Sequence, residues 1–395
     1  MLRNRDYLPM NIVLISPHFP PNFRNFTFRL RDNGANVLGI ADVHYDQIPE
    51  DVRGALTEYY RVENMHDYDQ IVRALGYYTH RYGKIDRIDS HNEYWLETEA
   101  RLRTDFNIDG VKVDVIDNMK RKSLMKQVFI DAGLKPARGR VCLDEAETFA
   151  FIEEVGYPVV AKPDSGVGAA KTYKLENPDQ VRHYLADKLH VDYILEEFIQ
   201  EPIVTFDGLV DASGELVFSS SLRYSKGVME TVNENSDIYY YFSRTIEPRL
   251  EAAGKAILKA FDLKARFFHF EFFMKDNGEV IPLEVNMRPP GGLTLDMFNF
   301  ANNFDCYKAW ADVIMYGHTE ISGQRDFHVI YVSRKDWIPY QLSHEEVVVS
   351  FPELMVYNAR IEDVFSAAIG NHGYVLRSPD LGPLIQAAER IHARA

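Results

Sequence analysis

The chain has 395 residues, 46% of them hydrophobic and 13% aromatic, enough to build the cores of two or three domains. Its formal net charge of -15 at pH 7 argues against a nucleic-acid or anionic-membrane surface, while leaving room for a local basic pocket that takes phosphates. The two cysteines, Cys142 and Cys306, are isolated and carry no metal or redox spacing. With no signal-type apolar segment and no run of about 18 apolar residues, they predict a cytoplasmic protein without a membrane span.

Residues 1–117 read as an α/β domain. Asn11–Ile15 is a buried strand that runs into the loop Ser16–Pro21. A helix carrying Phe23, Phe26, Phe28 and Leu30 stops at Asn33-Gly34, and Val37–Ile40 is the next strand. This β–loop–α–β order predicts a parallel, doubly wound sheet. The loop after the first strand lacks G-x-G-x-x-G, so no dinucleotide site is expected. Asp89–Glu93 leads into a helix through Arg103. Strand ends in such sheets point at ligands, so Glu93 and Arg103 read either as site residues or as a helix cap and a surface charge.

A second unit, 118–202, opens on a basic amphipathic helix at 119–132, with Met125 and Phe129 facing inward. Tyr157–Pro163 is a strand that delivers Lys162 into the turn Asp164-Ser165-Gly166-Val167-Gly168-Ala169-Ala170-Lys171, and Thr172–Leu175 returns. Asn177-Pro178 opens a helix as N-cap and first residue, and Tyr193–Ile199 is a further strand. The third unit, 203–317, holds strands at 203–210 and 216–222, a polar loop at 225–243 and a helix at 247–261.

A hairpin follows. Asn277-Gly278, between two apolar-rich runs, predicts a type I′ turn with φ > 0 at both central positions. A turn centred there sets Glu271 opposite Glu284 and His269 opposite Asn286. Alternation puts Ile281, Leu283, Val285 and Met287 on one face of the second strand and Glu284, Asn286 and Arg288 on the other. A one-residue slip would reverse the faces, so the register is well specified. Two carboxylates directly opposite each other repel, and a hard cation such as Mg²⁺ would remove the conflict. A solvated charged face is the plainer alternative. Residues 318–395 alternate strand and helix, ending in a helix at 380–393, and read as an appended α+β subdomain.

Glycines such as Gly166 and Gly168 let backbone N–H groups approach phosphate oxygens, and Lys162 could supply a point charge there. A glycine-bearing hairpin tip alone reads equally as a turn. His269 reads as a packed histidine, as a partner of Glu271 or as a general base. Lys171, Arg223 and Arg244 read as surface charge or as anion ligands, and Tyr239–Tyr241 as a core cover or a pocket wall.

Taken together, Lys122 at a helix start, Lys162 ahead of the glycines, Glu196-Glu197-Phe198-Ile199, and the face of Glu271, Glu284, Asn286 and Arg288 resemble the ATP-grasp superfamily. The order is closed by Leu283-Glu-Val-Asn-Met-Arg-Pro-Pro-Gly-Gly292. The likeness is to its carboxylate–amine ligases, near the carbamoyl-phosphate synthase and biotin carboxylase branch. It covers roughly 119–292 by motif and 11–115 less specifically. The resemblance implies an ATP-grasp fold of α/β and α+β character, with a doubly wound pre-ATP-grasp domain before it. Lys122 and Lys162 would bind ATP phosphates, and the 164–170 loop, with Ser165, Gly166 and Gly168, would close over them. Glu196, Glu197, Phe198 and Ile199 would lie at the adenine edge, with backbone of 197 and 199 reading the base. Glu271, Glu284 and Asn286 would bind Mg²⁺ (or Mn²⁺). Arg288 and Lys162 would be the catalytic pair, Arg288 stabilising charge on the transferring phosphoryl group. The family's ribose-binding carboxylate has no clear counterpart, with Glu201 and Asp207 as substitutes. The implied activity is an ADP-forming ligase that activates a small carboxylate as an acylphosphate and joins it to an amine. Bicarbonate activation and a non-catalytic nucleotide-binding regulator are the alternatives. Small-molecule carboxylate and amine substrates are the expected partners, with a homodimer allowed.

Overall fold

The computed structural model describes residues 9–166, 171–227, 231 and 235–395. Strands β1 (Asn11–Ile15), β2 (Asn36–Ala41), β3 (Glu58–Arg61) and β4 (Arg87–Asp89) form an all-parallel sheet in the order β3-β2-β1-β4. Every residue of β1 is buried because helices cover both faces. Ile12 and Leu14 pack with Phe26, Leu30 and Val52 on one side. Val13 and Ile15 pack with Ile71, Leu75 and Leu102 on the other.

Strands β5 (Gly139–Val141), β6 (Val159–Pro163), β7 (Tyr173–Leu175) and β8 (Tyr193–Glu197) form a small antiparallel sheet, ordered β5-β8-β6-β7. The helices Glu145–Val155 and Pro178–Asp187 close its core. The single basic helix expected at 119–132 is two helices, Ile116–Lys120 and Lys122–Asp131. They break at Arg121, whose extended backbone (φ -92°, ψ 117°) sends its guanidinium to Asp164 at 2.9 Å.

The largest sheet has nine strands. They are β9 (Ile203–Val210), β10 (Leu216–Ser220), β11 (Leu222–Tyr224), β12 (Tyr239–Phe242), β13 (Arg266–Met274), β14 (Val280–Asn286), β15 (His328–Arg334), β16 (Met355–Arg360) and β17 (His372–Ser378). The order is β14-β13-β9-β11-β12-β15-β17-β16, with β10 paired to β9. The polar loop expected at 225–243 therefore ends early. Tyr239–Phe242 is a strand paired to β11 on one side and β15 on the other; residues 228–230 and 232–234 of that loop lie outside the described residues. Its aromatics serve both faces. Tyr240 stacks on Tyr331 (4.7 Å between ring centroids) and Phe242 on Phe298 (4.9 Å), while Tyr239 and Tyr241 pack against the opposite core.

The hairpin turn differs from the type I′ expectation. Gly278 has φ 76° but Asn277 stays out of the left-handed region. The Gly278 N–H donates to the Lys275 carbonyl (2.9 Å) and the Lys275 N–H to the Glu279 carbonyl (2.9 Å). Asp276-Asn277-Gly278 is thus a three-residue loop closed by a left-handed glycine. That loop pairs Met274 with Val280 and Phe272 with Pro282, one residue off the expected register. A bulge at Leu283 then restores it, so that Glu271 faces Glu284 and His269 faces Asn286. Leu283, expected with Val285 and Met287 on the apolar face, is turned by the bulge onto the polar one, where it lines the cavity described below. Among the described residues no helix is long and apolar enough to cross a membrane.

Two measurements probe this packing. In the helix Pro248–Ala260, a Cβ on Gly254 would lie 2.1 Å from the buried Phe206 ring. Gly254→Ala should therefore destabilise the protein by about 1–3 kcal/mol in chemical denaturation, although alanine is the better helix former. His91 stacks on Phe26 (3.7 Å) and lies edge-on to Trp310 (4.4 Å). Burial pushes its imidazole down to about 4, against the pull of Asp89. The unfolded chain then binds the extra proton first, so stability falls as pH drops from the ordinary histidine value toward 4. Between pH 7 and pH 5 the loss from this residue should be roughly 2 kcal/mol, and His91→Phe should lack that component of the pH dependence in urea unfolding.

Candidate active site

A cavity of about 620 Å³ opens where the three sheets converge. The first contributes Glu93, just beyond the end of β4. The unit of the second contributes Lys122, Lys162, Gly166 and the run Glu196–Pro202. The third contributes Tyr224, His269, Glu271, Glu284, Asn286 and Arg288. Of the residues singled out from sequence, Phe198 and Ile199 also line it. Ser165 lies instead in an adjoining groove that shares Gly166, and Gly168 lies outside the described residues.

The cavity wall alternates in charge. Lys162 Nζ sits 2.7 Å from Glu196 Oε2, and Lys126 Nζ lies 2.6 Å from Glu196 Oε1 and donates to the Ala137 carbonyl at 2.8 Å. Burial opposes ionisation of Glu196, but the two lysines pull its carboxyl down to about 2. Burial likewise opposes the Lys162 charge, and Glu196 with Glu284 and Glu271 overcomes it, raising the ammonium above its ordinary value. The Glu196 side chain, expected at an adenine edge, is thus committed to the lysines. Its backbone lies in the ladder between β5 and β6, opposite Gly139 and Val160. The Glu197 carboxylate is held by Arg138 at 2.6 Å.

The facing carboxylates of the hairpin are already neutralised by the protein. Glu284 Oε1 is 3.2 Å from Lys122 Nζ, and Glu271 Oε1 is 3.3 Å from His269 Nε2. Lys122, expected on phosphate, therefore rests on a carboxylate of the metal face. His269 Nδ1 is 2.6 Å from Asp207 Oδ1. Against the burial penalty, Asp207 and Glu271 raise the imidazole to about 9, which favours its charged form. Asp207 is fully buried by that contact and by Thr205, which removes it as a ribose ligand, whereas Glu201 lines the cavity.

Glu93 lines the cavity and is not a cap; the capping side chain is Asn92, which accepts from the Tyr94 N–H. Glu93 Oε1 is 3.0 Å from Lys120 Nζ, and Oε2 accepts from Arg288 Nη2 (3.1 Å) and Nε (3.3 Å). Burial works against its charge, and Arg288 and Lys120 keep its carboxyl below the ordinary value. Arg103 is elsewhere, buried against Glu99. Arg223 and Arg244 do not line the cavity, and Lys171 pairs with the exposed Asp187. Sequence reading missed Lys120 and Lys126. Their signal was spacing, since Lys122 and Lys126 are four apart and share a helix face; a basic helix reads first as a solvated one.

Among the described residues no three His, Cys, Asp or Glu side chains cluster to hold a metal by themselves. Two carboxylates and the Asn286 amide do fit a hard cation that takes the rest of its oxygens from phosphate and water.

Neutralising Glu284 tests whether repulsion or pairing dominates. The Lys122 side chain is 8% exposed, so Glu284→Gln leaves a buried ammonium without its carboxylate. Denaturant unfolding should show a loss of about 1–3 kcal/mol, largely recovered in the double variant Glu284→Gln, Lys122→Met. A more stable single variant would mean that repulsion between the glutamates dominates.

Residues 155–296 match the ATP-grasp domain family. The chain is 25% identical over 187 residues to the carbamoyl phosphate synthase large chain of Haemophilus ducreyi, a stretch covering 46% of this chain and 17% of that protein. It is 24% identical over 264 residues to the L-arginine-specific L-amino acid ligase of Bacillus subtilis, 62% of each. The matches thus span less than two thirds of these relatives' own lengths. The crystal structure of L-amino acid ligase from Bacillus licheniformis shares the fold over 97% of each chain, with a TM-score of 0.75 at 13% identity. Lys162, the glycine turn after it and the carboxylate hairpin thus lie in the segment, residues 155–296, that matches the ATP-grasp domain family.

Proposed function

We propose that the chain is an ADP-forming ligase that activates a small carboxylate with ATP and joins it to an amine. The observation that supports this best is the cavity itself. Buried Lys122 and Lys162 line it together with Glu271, Glu284 and Asn286, and Arg288 stands at the end nearest the N-terminal sheet.

Phosphoryl transfer depends on positioning and on positive charge where negative charge builds, more than on covalent help from the protein. Each lysine has three N–H donors and Lys162 places one on Glu196, so donors remain for phosphate oxygens. Side chains of Glu196 and Glu197 are held by lysines and Arg138, which leaves recognition of a base to main-chain groups around 197–199. Glu271, Glu284 and Asn286 would hold Mg²⁺, which would supply charge compensation between phosphate oxygens. In the first step a substrate carboxylate oxygen bonds to the γ-phosphorus as the bond to ADP breaks. Arg288 is the group for charge on the moving phosphoryl. In the second step the amine nitrogen bonds to the acyl carbon, inorganic phosphate departs with the C–O electron pair, and the amine proton passes to solvent. Among the described residues no cysteine lines the cavity. The amino-acid ligase likeness, over most of the chain, favours an amino acid as the carboxylate. The carbamoyl phosphate synthase match favours bicarbonate, and covers less.

ADP and phosphate release, screened over pairs of amino acids and over bicarbonate with amine, tests the reading directly. Release that needs two amino acids supports it; release with bicarbonate alone moves the chain to the second reading. By calorimetry Lys162→Met should weaken MgATP binding by at least about tenfold, the scale of one charge-assisted contact. Arg288→Ala should lower kcat much more than it raises the KM for ATP.

A further inference from the structure

The N-terminal unit does more than flank the cavity: it supplies one carboxylate, Glu93, and that carboxylate is divided between two cations. Oε1 faces Lys120 Nζ at 3.0 Å, and the Glu93 carbonyl is 3.3 Å from the same ammonium. Oε2 alone receives the side edge of Arg288, with Nε at 3.3 Å and Nη2 at 3.1 Å. Arg288 Nη1 donates to the Pro289 carbonyl at 3.0 Å. A guanidinium has five N–H groups in a rigid plane. Three are thereby engaged, one on each nitrogen, and the two that remain sit on Nη1 and Nη2, at the free end of the fork. The plane cannot rotate without breaking two charge-assisted bonds at once. Glu93 itself cannot swing away, because Lys120, 5% exposed, anchors both its carboxylate and its carbonyl.

The geometry points to Glu93 as the positioning residue for Arg288, holding the guanidinium side-on so that its two free end N–H groups address a phosphoryl group in the cavity. The inference rests on the phosphoryl-transfer reading of that cavity. It adds that the ATP-grasp segment 155–296 is incomplete without a residue from the N-terminal unit. An ammonium-recognition role for Glu93 fits less well. Both its oxygens already face cations, and a third would crowd a carboxylate that lies at the wall and not in the open space. Lys120 is the brace: it touches Glu93 and not Arg288, so it acts on the guanidinium at one remove.

The test uses calorimetry on the whole chain with two probes, MgADP alone and MgADP with aluminium fluoride, the latter mimicking a phosphoryl group in transfer. Glu93→Gln, whose amide can no longer take both guanidinium N–H groups on an anionic oxygen, should keep MgADP affinity within about twofold and lose about tenfold or more for the aluminium fluoride complex. Arg288→Ala should show the same split. The double variant Glu93→Gln, Arg288→Ala should lose no more than Arg288→Ala alone, because the two act as one unit. If the lone Lys120 left by Glu93→Gln prevents folding, Glu93→Gln with Lys120→Met removes that buried cation and should give the same split. Unchanged aluminium fluoride affinity in Glu93→Gln, or a loss that persists in full in the Arg288→Ala background, overturns the positioning role. Failure of the unaltered chain to bind MgADP at all overturns the phosphoryl-transfer reading instead, and the proposal with it.

Discussion

Four charges, three of them buried and Asp89 nearly so, hold the N-terminal sheet in register with the carboxylate hairpin. Arg266, at the start of β13, reaches Asp89 (3.1 Å) at the end of β4 and Glu99 (3.5 Å) on the next helix, and also donates to the Met287 carbonyl at 3.0 Å. Arg103 closes the set at 2.7 Å from Glu99. Two carboxylates and two guanidiniums in the interior balance one another, and Glu99 takes further bonds from the Ser90 backbone and hydroxyl. Burying such a set carries a desolvation cost, and its value lies in geometry, since losing one member leaves the rest uncompensated. Because Asp89 is fixed to β13, Glu93 four residues on is delivered beside Arg288, which follows Met287 at the same open end of the hairpin.

The cavity repeats this logic on a more open scale. Glu196 lies between two lysines, Glu284 lies on Lys122, Glu271 lies on His269, and Glu93 lies between Lys120 and Arg288. Each of these four glutamates has a protein cation within salt-bridge distance. A polyphosphate and its metal would enter by exchange of partners, cation to phosphate and carboxylate to metal, so that charge is redistributed and little net burial of bare charge is required.

Legibility followed the kind of signal each residue carried. Alternation and turn chemistry carried the hairpin, yet the pairing of Glu271 with Glu284 was reached by two departures that cancel: a three-residue turn where two were read, and a bulge at Leu283. Neither leaves a mark in the pattern, because the extra residue is another apolar one. The parallel order of β1 and β2 was readable from a buried strand followed by a helix with one apolar face. Tyr239–Phe242 was not readable as a strand: four aromatics in a row carry no period in the sequence, although Tyr240 and Phe242 are buried and Tyr239 and Tyr241 only half-buried. The break at Arg121 was hidden because its cause, Asp164, lies 43 residues away. Lys126 and Lys120 were hidden for a similar reason. Each is buried through a carboxylate distant in sequence, Glu196 for Lys126 and Glu93 for Lys120.

Tyr239–Phe242 also determines what the last part of the chain does for the site. On one edge this strand pairs with β11, whose Tyr224 lines the cavity; on the other it depends wholly on β15, and through β15 on β17 and β16. A chain stopped at Gly317 would leave a bare edge of unpaired N–H and C=O groups, with the rings of Tyr240 and Phe242 on its underside. Such an edge templates further strands from neighbouring molecules. The C-terminal strands therefore move the open edge of the sheet away from the cavity wall, from Tyr239–Phe242 out to β16.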